Sequence, residues 1–168
     1  MMYLKENMKK ALVVYYSFEG STEIVAKAIS NTYHLDILSI KPVDEIKSKG
    51  FTKYIWGGGQ VVMGTIPEIE SILIDLDEYD FIFIGTPIWA GTFAPPIRAL
   101  LEDKKLHDKQ IAYFYTSLGG ASLAEKRAQQ AFSINNTLVS TIGLTDVKNN
   151  PEPAIKRVLE WSRELIIS

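Results

Sequence analysis

Short apolar runs alternate with segments of helical periodicity along this chain, and that rhythm limits the fold more than any other feature of it. Residues 11–16 (Ala-Leu-Val-Val-Tyr-Tyr) are an unbroken β-prone run, the kind found in strands buried on both faces. Residues 22–32 follow with Ile24, Val25, Ala28 and Ile29 at helical spacing. Further strands are expected at 35–40, at 80–85 (Asp-Phe-Ile-Phe-Ile-Gly), at 110–116 and at 138–144. Helices are expected at 68–73, at 95–102, at 122–132 and at 151–167. Pro95 and Pro96 suit a first helical turn, and Ile155, Val158, Leu159 and Leu165 share one stripe of the last helix. Strands and helices alternating at these lengths predict an α/β fold: a doubly wound, five-stranded parallel sheet with helices on both faces.

Composition narrows the function. A chain of 168 residues suits one domain, and at this size about 70% of the unfolded surface is hidden on folding. No apolar run has the length of a membrane-spanning helix. The absence of cysteine excludes disulfides, thiolate metal sites and a cysteine nucleophile; no metal is expected. Lysine and arginine number 18 against 20 acidic residues, a net charge of −2, so nothing matches a phosphate backbone and no nucleic-acid partner is expected. Residues 1–7 read as a polar, dispensable leader without an apolar core, and Met8-Lys9-Lys10 as a second start. Residues 8–168 are then the domain, and a cytoplasmic location is expected. Residues 42–67 break the rhythm. They hold Tyr54, Trp56, Gly57-Gly58-Gly59 and Gly64, and a stretch of that length is usually functional.

Three loops carry candidate chemistry. After the first strand comes Ser17-Phe18-Glu19-Gly20-Ser21-Thr22, with three hydroxyls, a glycine and the outward amides of a helix start. It contains no lysine or arginine, so a phosphate there would be held by amides and hydroxyls alone. The simpler reading is that Ser21 or Thr22 caps the helix. A Gly-x-Gly-x-x-Gly fingerprint is absent. Residues 59–65 mimic P-loop spacing, but Thr65 stands where the lysine belongs. Tyr15-Tyr16-Ser17 lacks the acidic residues of a phospho-acceptor site. The second loop, Thr86-Pro87-Ile88-Trp89-Ala90-Gly91 and onward to Pro96, leaves the carboxyl end of a central strand, where open α/β sheets bind ligands. Trp89 offers either a flat face for a ring or plain packing over the next helix. The third, Ser117-Leu118-Gly119-Gly120-Ala121-Ser122, also reads as a turn with a helix cap. All three share one edge of the sheet, and that coincidence favours a site. His34 and His107 precede strands at the opposite edge, so no catalytic residue is singled out.

In combination these segments resemble the flavodoxin family. The match is Ser17-x-x-Gly20-Ser21-Thr22 between strand and helix, Gly85-Thr86-Pro87-Ile88-Trp89-Ala90-Gly91 with Ala94-Pro95-Pro96, and Gly119-Gly120, across residues 8–168. Tyr54-Ile55-Trp56-Gly57-Gly58 is similar to a subgroup of small flavodoxin-like proteins. The resemblance implies strand order 2-1-3-4-5, the short-chain form, and non-covalently bound FMN. It implies Ser17, Glu19, Gly20, Ser21 and Thr22 around the FMN phosphate. Thr86, Pro87, Ile88, Trp89, Ala90 and Gly91 would line the isoalloxazine, and Ser117, Leu118, Gly119 and Gly120 would close its other side. The Ala90-Gly91 peptide would turn its carbonyl towards flavin N5 in the half-reduced state.

This chain departs from the family in three places. Ser21 stands where many relatives carry asparagine, Glu19 must face solvent, and the third loop lacks a stacking tyrosine. Trp56 or Tyr54 would substitute, or Trp56 is buried under its own segment. Three functions follow. One is an electron carrier serving redox partner proteins. Another is an NAD(P)H-dependent FMN oxidoreductase of the quinone-reductase type, acting on a small-molecule acceptor. The third is a flavodoxin-like fold without FMN. Net charge −2 is weak for a carrier. The aromatic 42–67 segment suits the roof of a substrate pocket, whereas Lys53 and Arg98 are unspecific partners for a nicotinamide phosphate.

Overall fold

The computed structural model describes residues 10–43, 66–103, 106–119 and 121–167. Its strands are β1 (Ala11–Tyr15), β2 (Asp36–Ser39), β3 (Phe81–Trp89), β4 (Thr92–Phe93), β5 (Gln110–Ser117) and β6 (Thr137–Thr145). The helices are α1 (Ser21–Tyr33), α2 (Pro95–Glu102), α3 (Ser122–Phe132) and α4 (Pro151–Ile167). The parallel strands lie in the order β2-β1-β3-β5-β6, and β4 pairs with the end of β3 alone. The five parallel strands, counted along the chain, are therefore ordered 2-1-3-4-5 as expected.

Alternation of side chains across the pleat divides the core in two. On one face, Leu12, Val14, Ile82, Ile84, Ile111 and Tyr113 meet Ile97 and Leu100 of α2 and Ala128 and Phe132 of α3. On the other, Val13, Phe81, Phe83, Ala112 and Phe114 meet Val25, Ala26 and Ile29 of α1 and Ala154, Val158 and Ile166 of α4. Each fully buried side chain of this size contributes about 1.5–3 kcal/mol over its exposed state. Tyr33 closes the second face by donating its hydroxyl proton to the Leu159 carbonyl at 2.7 Å.

Two expectations need correction. Residues 68–73 are not helical. Ile69 forms an antiparallel bridge with Pro42, Val43 N donates to Glu68 O at 2.9 Å, and Glu70 N donates to Lys41 O at 2.8 Å. Ile72, Ile74 and Leu76 then fall on every second residue and pack onto the α2–α3 face of the core. That is extended-chain spacing, and it wins over the helical reading. A single 3-10 turn follows at Leu76–Glu78. The third strand is also longer than 80–85, because it runs on to Trp89. Beyond Gly85 only β5 pairs with it in parallel, so Pro87 sits where β3 has become an edge, a place that tolerates proline. Among the described residues, no helix is long and apolar enough to cross a membrane.

Candidate functional site

The first loop begins where β1 gives out. Tyr16 N still donates to Gly85 O at 3.0 Å, and the chain then turns, with Gly20 N donating to Ser17 Oγ at 3.2 Å. Gly20 is the N-cap of α1 at φ 97, a left-handed conformation that suits glycine. Neither Ser21 nor Thr22 acts as the cap, and no side chain takes that role. Thr22 instead turns inward. It is buried, and its hydroxyl lies 2.9 Å from that of Thr116 at the end of β5. Ser17 and Ser21 are half-buried, whereas Glu19 is exposed. Glu23, in the first turn, pairs with Lys27 at 2.6 Å, and that contact holds its carboxyl below the ordinary range.

The second loop is a two-residue hairpin. β3 and β4 pair Ile88 with Phe93 and Trp89 with Thr92. Ala90 at φ 48 and Gly91 at φ 72 form the turn between them. Two successive positive φ values mark a type I′ turn, whose twist suits flanking strands. An L-residue held left-handed costs about 1–2 kcal/mol, so Ala90 stores strain. Fully buried Thr86 staples the base: its hydroxyl donates to the Pro87 carbonyl at 3.0 Å and accepts from Ala94 N at 3.0 Å. Trp89 is half-buried, with the Tyr16 and Phe18 rings edge-on to it at 5.4 and 5.9 Å. It combines the two readings of the sequence, since it packs against the core and keeps part of the indole open. Arg127, from α3, donates to the Gly91 carbonyl at 2.9 Å. Sequence reasoning missed this residue. The available signal was weak: a basic side chain, next to Lys126, in the helix after the third loop and four residues from Leu123.

The third loop presents Leu118 fully exposed. Ser117 Oγ accepts from Gly119 N at 3.3 Å, and Gly119 is left-handed at φ 128. No side chain caps α3. Gly120, Tyr54 and Trp56 lie outside the described residues.

Thr22–Thr116 thus ties the first loop to the third, Trp89 ties the first to the second, and Arg127 ties the second to α3. Of the fifteen expected site residues, the structure brings fourteen to this edge, but the hydroxyls of Thr22 and Thr86 are engaged internally. His34 and His107 lie at the other edge, with His107 3.0 Å from Asp108. A cleft of about 650 Å³ opens there, lined by His107, Lys109, Gln110 and Asn136 among others, and it gathers none of the three loops. Among the described residues, no group of three or more histidine, aspartate or glutamate side chains could hold a metal ion. At the carboxyl edge, a helix start without a side-chain cap, beside the Ser17 and Ser21 hydroxyls, suits an anion. An indole and an exposed leucine suit a flat apolar ring.

Comparison with known proteins places these features in context. A family model described as flavodoxin matches residues 10–144. A flavoprotein from Lactobacillus acidophilus NCFM, solved in complex with FMN, is 26% identical with a TM-score of 0.69, over 86% of this chain and 97% of that one. A candidate flavoprotein from Bacteroides uniformis ATCC 8492 is 26% identical with a TM-score of 0.76, over 94% and 99%. Oxidised flavodoxin 2 from Bacillus cereus, 17% identical with a TM-score of 0.54 over 92% and 99%, is a likeness of fold alone.

Proposed function

This chain belongs to the flavodoxin family, and we propose that it is an FMN-binding redox protein that carries electrons through a non-covalently bound flavin. The observation that carries the reading is the convergence of three loops at one sheet edge, locked by the Thr22–Thr116 hydrogen bond. The donor set fits the cofactor. The first loop offers main-chain amides at an uncapped helix start, with the Ser17 and Ser21 hydroxyls and no cation, a combination suited to a phosphate ester. Cβ atoms added at Gly20 and Gly119 would meet nothing within 4 Å, so the backbone at both loops faces open space. The similarity to an FMN complex supports the same choice.

When bound, FMN supplies the redox chemistry, and the protein supplies position and electrostatics. Ser17, Gly20 and Ser21 would hold the phosphate, and buried Thr22 fixes their height over the sheet. Pro87, Ile88, Trp89, Ala90 and Gly91 would cover one side of the ring and exclude water from it. Ser117, Leu118 and Gly119, with Gly120, would cover the other. Glu19 is exposed, where water screens its charge from the phosphate. With both histidines at the far edge, protons come from solvent or from hydroxyls.

The carrier and oxidoreductase readings part on one experiment. The flavin-loaded protein is mixed anaerobically with NADH or NADPH, and then with dithionite. A carrier keeps its flavin absorbance with the nucleotides and loses it with dithionite. Rapid bleaching by either nucleotide alone assigns the protein as an NAD(P)H-dependent oxidoreductase instead.

A further inference from the structure

Arg127 and Leu123 lie four residues apart on α3 and therefore share a face of it. The Arg127 Nη1 atom donates to the Gly91 carbonyl at 2.9 Å in a partly buried setting. A methyl group at Gly91 would meet that nitrogen at 3.4 Å and the Leu123 side chain at 3.8 Å, so α3 is the wall on which the hairpin tip rests. Among the described residues, no carboxylate pairs with Arg127. A half-buried guanidinium thus directs its charge-assisted hydrogen bond at a main-chain carbonyl. The turn it grips contains Ala90 at φ 48, a conformation that alanine keeps only where its surroundings impose it.

We propose that Arg127 is a positioning residue for the flavin site: it holds the strained Ala90–Gly91 turn in place and sets a positive charge beside the ring. The inference rests on the FMN reading given above. The hydrogen bond fixes the turn in the free protein. The charge favours the reduced cofactor over the oxidised one, because reduction adds negative charge to the ring.

The test uses Arg127→Gln and Arg127→Lys, and Arg127→Gln combined with Ala90→Gly. The first measurement is amide hydrogen exchange at residues 90–92 of the FMN-free protein. Arg127→Gln is expected to speed exchange about tenfold there and to leave the core strands unchanged. The second is FMN titration with the reduction potential of the bound flavin. Arg127→Gln is expected to weaken oxidised FMN severalfold and reduced FMN tenfold more than that. For a two-electron couple this lowers the potential by about 30 mV. Arg127→Lys keeps the charge and recovers most of the potential. Ala90→Gly in the Gln background recovers the affinity for oxidised FMN, because glycine holds a positive φ unaided. Unchanged exchange at the turn overturns the proposal, and so do unchanged affinity and potential in Arg127→Gln. A wild-type protein that takes up no FMN overturns the cofactor reading together with the site role of Arg127. The exchange measurement then still shows whether the grip on the turn exists.

Discussion

Thr22 looks like a helix cap in the sequence and is in fact a tie between two loops. Its hydroxyl and that of Thr116 satisfy each other while buried. Thr22→Val is therefore expected to cost about 1–3 kcal/mol, because it leaves Thr116 buried without a partner. The double change to valine at both positions is expected to cost much less than the single change, as measured by urea unfolding. Ser21 stands half-buried at the start of the same helix and has no such partner in the core. A carboxylate there sits against a bound phosphate, so Ser21→Asp is expected to abolish FMN binding in a fluorescence titration. Unchanged affinity would remove the first loop from the site. Trp89 divides its surface between core and opening, and Trp89→Ala is expected to weaken FMN by about 0.5–1.5 kcal/mol. Lost stability with unchanged affinity would assign the indole to packing alone.

Elements differ in how much of them the sequence discloses. The central parallel strands β1, β3 and β5 were legible because each holds a continuous apolar run, β2 and β6 by shorter β-prone stretches between helical segments, and the helices because the 3.6-residue period persists for two or more turns. Residues 68–73 were misread because Ile69 and Ile72 are three apart, as in a helix; the decisive spacing, Ile72-x-Ile74-x-Leu76, begins only at their end. The hairpin was hidden for another reason. Type I′ turns favour Asn-Gly, and this one is Ala-Gly, with Ala90 kept left-handed by contacts that only the fold supplies. The same applies to Arg127, whose partner is 36 residues away. The three loops themselves were readable as a site, since small and aromatic residues at strand ends are a local signal; the internal use of Thr22 and Thr86 was not. Close packing between β3 and β5 adds one expectation. The ring of Phe114 fills the space where a side chain at Gly85 would lie. Gly85→Ala is expected to cost about 3 kcal/mol or more in thermal or denaturant unfolding, because a rigid aromatic in a two-sided core has no room to move.

The molecule as a whole is a sheet buried on both faces, and several of its tyrosines are held in their neutral form. Tyr79 is pushed up to about 12, first by its hydrogen bond to Asp36 and then by burial. Tyr115 is pushed up to about 12 by burial and by its bond to Glu125. Burial also raises Tyr113 well above its ordinary value. In the unfolded chain tyrosines ionise near 10. Between about pH 10 and 12 the unfolded chain therefore binds fewer protons than the folded one, so stability is full below that window and falls through it as pH rises. Tyr79→Phe is expected to make this alkaline loss shallower in denaturant titrations across the window. All of the functional reading depends on one property of the whole protein, which is that its three-loop edge holds a flavin. The most direct test is the visible absorbance spectrum of the purified protein, recorded as isolated and again after FMN is added and the sample desalted. Retained flavin bands with resolved fine structure are the expected result. A flat visible spectrum after reconstitution would contradict the account of the site and leave only the fold standing.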